Sequence, residues 1–199
     1  MTRVLLLSRS VHWGLSTAVA MWCLAVLIGR RAIEIDLSFP PTKVVVVELC
    51  VVVTATILAI VTRSRFWAWD RVAHGARSRA VAGVVAGLVI VLSVLCVPVV
   101  VPWLPTDAAW TWVMANALVL SATVLLLVPL LTPLLAGAVV TVLWFASAIV
   151  TNVAPGVWLP LTNYRDQDGH WVVATVLVVA AVVAHARTCG MTAWTHRQS

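Results

Sequence analysis

Long apolar runs make up most of this chain, and a short arginine-rich segment interrupts them. Between residues 63 and 79 lie five arginines and one acid, namely Arg63, Arg65, Arg71, Arg77, Arg79 and Asp70. Because the bilayer core does not solvate a guanidinium group, this segment must lie outside the hydrocarbon, and arginine bias favours the cytoplasmic side. The pattern predicts a chain that crosses a membrane repeatedly, with a short basic loop as its largest cytoplasmic feature.

The composition supports the same conclusion. The 199 residues are 62% hydrophobic and 10% charged, and the mean hydropathy is +1.05. Soluble domains usually carry about 25% charged residues, so a soluble protein is not expected. The 13 Lys+Arg against 7 Asp+Glu are typical of arginines that orient membrane spans, and we expect no nucleic-acid partner.

Six segments are long enough to cross the hydrocarbon, which takes about 20 mostly apolar residues as a helix. They cover residues of about 11–29, 43–62, 80–102, 109–130, 133–153 and 171–187. The runs are continuous and do not alternate, which favours helices over a barrel. We therefore predict an all-α, polytopic transmembrane helical bundle in which residues 1–199 form one integral membrane domain.

The fourth and fifth segments are joined by an uncharged connection that contains Pro129 and Pro133. Prolines can turn the chain there, and we expect a tight hairpin. One long kinked segment or a re-entrant element is the alternative. Three further prolines, Pro98, Pro102 and Pro105, are expected to bend and end the third span.

The distribution of charge indicates that both termini are cytoplasmic. On that arrangement the inner segments hold nine cations and one acid, Asp70, the cations being Arg3, Arg9, the five loop arginines, Arg187 and Arg197. The outer segments hold four cations and five acids, namely Arg30, Arg31, Lys43, Arg165, Glu34, Asp36, Asp107, Asp166 and Asp168. This asymmetry predicts a multi-pass plasma-membrane protein with six spans, surrounded by membrane lipid.

Glu48 is the one acid inside a predicted span. Intramembrane acids are costly and are therefore candidate functional residues. Alternatively, Glu48 lies near the outer interface, where it reaches water or pairs with Lys43 or Arg31.

Gly83 and Gly87 form a GxxxG pattern in the third span, which lets two helices approach closely. This contact serves either a dimer interface or the inside of the bundle.

The histidines leave open a haem site. Neutral imidazoles can ligate haem iron when two rings face each other at one depth. His12 and His185 both lie near the inner border and would meet if the first and sixth spans pack together. The alternative is that both are interfacial residues at helix ends.

The four cysteines are scattered, without metal-binding spacing, and we expect no other metal site.

The basic loop suits a short amphipathic helix at the cytoplasmic interface. Its apolar side includes Phe66 and Trp69, and its polar side includes Asp70, Arg71, His74 and Arg77. Such a segment either touches anionic lipid headgroups or docks into a groove on a cytoplasmic partner.

Residues 65–79, followed at once by an apolar span, resemble the connection between the second and third spans of small ABC exporter membrane subunits. Ala115-Asn116, Trp158-Leu159-Pro160 and the ending with Trp171, Arg187 and Gly190 are also similar. This resemblance covers about half of the chain. It implies a separate ATP-binding subunit, a homo- or hetero-oligomeric membrane unit, and coupling through residues near Phe66 to His74.

The expected function is therefore that of a permease-type subunit of an ABC exporter, coupled to a cytoplasmic ATPase through residues 63–79. The sequence contains no GxxxxGK[ST] loop, so another chain would have to bind ATP. No Ser-His-Asp or paired-carboxylate constellation is apparent, and we expect no enzyme activity of its own and no cofactor. The alternatives are a cytochrome b-like electron carrier with one haem b, and a structural or immunity membrane protein. The cargo stays open.

Overall fold

The apolar runs fold into helices in the computed structural model, which describes residues 11–35, 42–62, 76–104, 110–154, 157, 159 and 170–189. A helix satisfies the backbone hydrogen bonds of an apolar run within the run itself. The helices are α1 Val11–Ile28, α2 Val46–Val61, α3 Ala76–Val94, α4 Cys96–Val100, α5 Trp110–Leu127, α6 Pro133–Val153 and α7 Trp171–Thr188. A 3-10 turn, Val101–Trp103, follows α4.

Four helical segments in the described part of the chain are long and apolar enough to cross a membrane. They are Ala76–Trp103, which joins α3, α4 and the 3-10 turn, and the helices α5, α6 and α7. The described apolar stretches of α1 and α2, Trp13–Ile28 and Val46–Val61, are shorter. The predicted class of helical membrane protein is thus confirmed, and the number of crossings stays a prediction.

A two-stranded antiparallel hairpin precedes α2 and was not expected from the sequence. Its strands are β1 Ala32–Ile35 and β2 Thr42–Val45, with Ala32 opposite Val45 and Glu34 opposite Lys43. Helix α2 therefore begins at Val46 and not at residue 43, and the expectation of a purely helical chain is corrected. Valine favours strands where a partner strand is available, and β1 supplies that partner.

Proline divides the third apolar run. Helix α3 ends at Val94, and α4 begins at Cys96. Pro98 has no N–H to donate to the Val94 carbonyl, and its ring clashes with that carbonyl in a regular helix. The run ends at the 3-10 turn, which contains Pro102, in accord with the expected role of these prolines. Pro105 lies outside the described residues.

The connection between α5 and α6 is a tight hairpin. The Leu131 N–H donates to the Leu127 carbonyl at 2.8 Å and closes the end of α5. Thr132 then caps α6 by accepting a hydrogen bond from the Leu135 N–H, with Pro133 in the first turn. The two helices pack against each other. They are therefore separate helices and not one long kinked segment.

Helix contacts define two ends of the bundle. The start of α1 lies at the end of α2, since a Cβ on Gly14 would approach Thr62. The end of α7 lies at the start of α3, since a Cβ on Gly83 would contact Ala186. We name the end of the bundle that holds the start of α3 and the end of α7 the arginine end, because the exposed Arg77, Arg79 and Arg187 lie there. The opposite end, with the β-hairpin and the starts of α2, α5 and α7, is the hairpin end.

The helices differ in how much of their surface the bundle covers. Helix α5 contacts α2, α3, α6 and α7, and 61% of its residues are buried. The corresponding share is 17% for α7. Helix α5 is thus an inner helix, while α7 lies at the periphery with its valines exposed.

Candidate functional site: a buried glutamate shared by three helices

Glu48 lies in the first turn of α2, directly after strand β2, and is fully buried. The first turn is a favourable position for a carboxylate, because the free N–H groups of a helix N-terminus carry partial positive charge. Its burial contradicts the alternative in which this side chain reaches water. Pairing with Lys43 or Arg31 stays a prediction, since the Lys43 side chain lies outside the description.

Two side chains from other helices bind the carboxylate. The Asn116 Nδ2 of α5 donates to Oε1 at 2.9 Å. The Trp144 Nε1 of α6 donates to Oε2 at 2.7 Å. Asn116 is 0% exposed and Trp144 is 1% exposed. We name Glu48, Asn116 and Trp144 the buried triad; it links α2, α5 and α6 through side chains alone.

The triad lies inside the bundle and not at its rim. Asn116 is six residues from the start of α5, which corresponds to about 9 Å at a helical rise of 1.5 Å per residue. Trp144 is nine residues from the end of α6, or about 14 Å by the same rise. Glu48 reaches this depth although it begins a helix, because the residues before it, Val44 and Val45, are buried as well.

Both carboxyl oxygens accept a hydrogen bond from an N–H group. A buried polar group is costly unless it is hydrogen-bonded. Separating α2 from α5 or α6 would remove a donor from this carboxyl group. The triad can therefore hold the three helices in one arrangement and penalise others.

The sequence identified Glu48 but neither of the donors as a site residue. Asn116 enters the sequence analysis only through the family resemblance, and no sequence motif points to Trp144. A signal was present in both cases. Asn116 is a polar residue within an apolar run, and Trp144 lies in the middle of its run, unlike the tryptophans at the borders.

Two further polar contacts connect elements near the hairpin end. The Asn152 Nδ2 of α6 donates to the Ile35 carbonyl of β1 at 3.1 Å. The Trp22 Nε1 of α1 donates to the Leu92 carbonyl of α3 at 2.8 Å. The first contact holds the β-hairpin against the bundle, and the second lies next to the interruption between α3 and α4.

The glycines of the GxxxG pattern face α7 of the same chain. A Cβ on Gly83 would lie 3.4 Å from the Ala186 Cβ and 3.5 Å from the Val182 Cγ1. A Cβ on Gly87 would lie 3.9 Å from the Val182 Cγ2. Of the two uses considered for this pattern, the structure thus has the contact within the bundle.

The haem site between His12 and His185 stays a prediction, and only one of the two side chains is described. His185 is buried, and its Nδ1 lies 3.1 Å from the Ala181 carbonyl. Helix α7 packs against α3 and α5, whereas α1 packs against α2 and α4. Within their described residues α1 and α7 share no extensive interface. The His12 side chain lies outside the description. The described residues also contain no group of three or more His, Cys, Asp or Glu that could hold a metal ion.

Most of the expected docking loop lies outside the part of the chain that the structure describes. Phe66, Trp69, Asp70, Arg71 and His74 lie outside the described residues. Arg77 is described, and it is exposed in the first turn of α3.

Comparison with known proteins adds no assignment: the chain matches no protein-family model, and no curated protein and no solved structure is significantly similar to it.

Proposed function

We propose that this chain is a six-span plasma-membrane protein with both termini in the cytoplasm, and that it is the permease-type subunit of an ABC exporter. The buried triad is the observation that carries this proposal. A purely structural bundle gains little from a buried ion, since apolar residues of similar volume stabilise as well or better. Ionisable residues at membrane depth mark transport pathways and moving parts instead.

The arrangement of α3 supports coupling to a cytoplasmic ATPase. Residues 63–75 lead directly into α3, whose first turn carries the exposed Arg77. Helix α3 packs against α2, α5 and α7. A displacement of the loop by a partner would therefore be transmitted to three other helices. The energy would come from that partner, since the chain itself has no nucleotide-binding loop.

In this proposal the triad stabilises one of the conformations between which the exporter alternates. Rocking of α5 or α6 away from α2 would break a hydrogen bond to the Glu48 carboxylate. ATP-driven movement of α3 would have to compensate for that loss. Two-state transport requires such a difference in contacts between the states.

The coupling is tested by isolating the tagged protein from its native membranes and looking for a bound ATPase. Charge reversal at Arg71 and Arg77 should abolish co-purification of the ATPase. The same reversal at Arg30 and Arg31, at the hairpin end, is the matched control and should leave it intact. An ATPase that stays bound after reversal at Arg71 and Arg77 would refute the docking role.

The role of the triad needs a separate readout. Glu48→Gln should abolish ATP-dependent export while the ATPase stays bound, because Glu48 lies in the first turn of α2 and the loop follows its last turn in the chain. If no ATPase accompanies the wild-type protein, the structural or immunity function is favoured. A Soret band that is lost in His185→Ala would favour the cytochrome instead.

A further inference from the structure

Exposed arginines of two helices come together at the arginine end. Arg77 and Arg79 lie in the first turn of α3, and Arg187 lies in the last turn of α7. The contact between Gly83 and Ala186 brings these two helix ends side by side. The acids among the described residues, Glu34 and Glu48, belong to the hairpin end. The described surface at the arginine end is therefore cationic.

Two of these arginines, Arg77 and Arg187, lie in line with exposed apolar residues of their own helices. On α3, residues 77, 84 and 91 recur at intervals of seven and are Arg77, Val84 and Val91, all exposed. On α7, Val183 lies one turn before Arg187 and is exposed as well. Residues at spacings of four and seven share one face of a helix.

These two faces lie on the same side of the helix pair. Helices α3 and α7 run in opposite directions, and their contact passes through Gly83 and Val182. The next residue on each helix is rotated by about 100°, and in an antiparallel pair the two rotations point to the same side. Val84 and Val183 thus flank one furrow, with the Gly83–Val182 contact as its floor.

We propose that this furrow binds one anionic glycerophospholipid from the leaflet at the arginine end. Arg77 and Arg187 would bind the phosphate of its headgroup, since guanidinium groups match phosphate oxygens in geometry and charge. One acyl chain would lie between Val84 and Val183, over the contact of Gly83 with Val182. Charge complementarity selects an anionic over a zwitterionic lipid. The inference rests on the membrane-spanning part of the proposed function and not on the ATPase.

The site is tested by titrating detergent-purified protein with phosphatidylglycerol and, separately, with phosphatidylcholine of the same acyl chains, with bound lipid counted by native mass spectrometry. Phosphatidylglycerol should bind more tightly. The double variant Arg77→Gln/Arg187→Gln should lower its affinity by roughly 30-fold, from the usual contribution of two arginines at an anionic surface. Arg30→Gln/Arg31→Gln is the matched control and should keep the wild-type affinity, whereas Arg77→Lys/Arg187→Lys should keep most of it.

The apolar part of the site needs its own variant. Val84→Trp should fill the furrow and reduce phosphatidylglycerol binding with both arginines intact, whereas Val142→Trp on the exposed face of α6 should not. Equal affinity for the two lipids, or unchanged affinity in the double glutamine variant, would overturn the site. Unchanged affinity in Val84→Trp would overturn the site too, because binding would then depend only on attraction between the lipid headgroup and a charged surface. Wild-type protein that binds phosphatidylglycerol but co-purifies with no ATPase would count against the exporter alone.

Discussion

The carboxylate of Glu48 depends on donors from two other helices, and this dependence predicts the effect of removing it. Glu48→Ala would leave the Asn116 and Trp144 N–H groups without this acceptor and would open a cavity. We expect a loss of about 2–5 kcal/mol in the free energy of unfolding, from two buried donors that lose this partner and from the cavity. Unfolding in mixed detergent micelles measures it.

The matched control is Glu34→Gln, because Glu34 is an exposed glutamate on β1 opposite Lys43. It should cost at most about 0.5 kcal/mol, as for other substitutions at the surface. A loss in Glu48→Ala no larger than that in Glu34→Gln would contradict a structural dependence on the buried triad.

Trp144→Phe separates the hydrogen bond from the packing of the ring. The phenyl ring fills most of the space of the indole but has no N–H for Oε2. We expect a loss of about 1–3 kcal/mol in the free energy of unfolding, the range for a buried acceptor that loses its donor. In a Glu48→Leu background the same change should cost clearly less, which a double-mutant cycle measures. Equal costs in both backgrounds would show that the indole contributes by packing alone.

Gly137 is a tighter contact than either glycine of the GxxxG pattern. A Cβ at this position would approach the Thr56 Cγ2 of α2 to 2.8 Å and its Cβ to 3.0 Å. Gly137→Ala should therefore force α2 and α6 apart and destabilise by about 1–3 kcal/mol, a cost typical of overpacking. Gly87→Ala, where the nearest atom lies at 3.9 Å, is the control and should be tolerated. Thr56→Gly should restore stability to Gly137→Ala if the clash is the cause.

At this scale the sequence predicts which residues are unusual but not which residues they meet. Glu48 stands out because an acid in an apolar run is costly wherever it packs. Its donors lie 68 and 96 residues further along the chain, and their proximity follows only from the packing of three helices. Gly137 has no partner glycine at the GxxxG spacing, so a search for that pattern does not find it.

At the scale of elements, the interruption between α3 and α4 is supported from α1. The Trp22 indole donates to the Leu92 carbonyl just before the break. Trp22→Phe would remove this bond and should destabilise by about 0.5–1.5 kcal/mol, the usual net value of one hydrogen bond. Hydrogen exchange should also rise at residues 95–97. Trp110→Phe, at an exposed position at the start of α5, is the control. An equal increase in hydrogen exchange at residues 95–97 in Trp110→Phe would show that Trp22 has no special role.

Most helix bounds could be predicted, because each run must satisfy its own backbone hydrogen bonds and ends where prolines or charges begin. The β-hairpin could not. Valine suits a strand and an apolar helix alike, so residues 43–47 are predicted as the start of a span. What decides between the two is the pairing of Val45 with Ala32 and the Val46 N–H bond to the Arg31 carbonyl. Those partners are visible only once the chain has folded back.

At the scale of the whole molecule, the two ends differ in construction. The hairpin end has a small sheet held to α6 by Asn152 and the buried triad beneath it. The arginine end has exposed cations on α3 and α7. A bundle built in this way has one end suited to contact with a charged surface and one end whose helices are held together by polar contacts.

This asymmetry predicts the orientation of the molecule in the membrane. Arginine-rich segments are retained in the cytoplasm, so the arginine end should face inward and the β-hairpin outward. The test places one cysteine at a time in a variant whose four native cysteines are alanine, and treats intact cells with a membrane-impermeant maleimide. Glu34→Cys should react at once, whereas His74→Cys and Gln198→Cys should react only after the cells are permeabilised. Six crossings put residues 74 and 198 on the same side of the membrane, because four spans separate them. Reaction of only one of these two in intact cells would therefore require an odd number of crossings between them, and the six-span arrangement would be wrong.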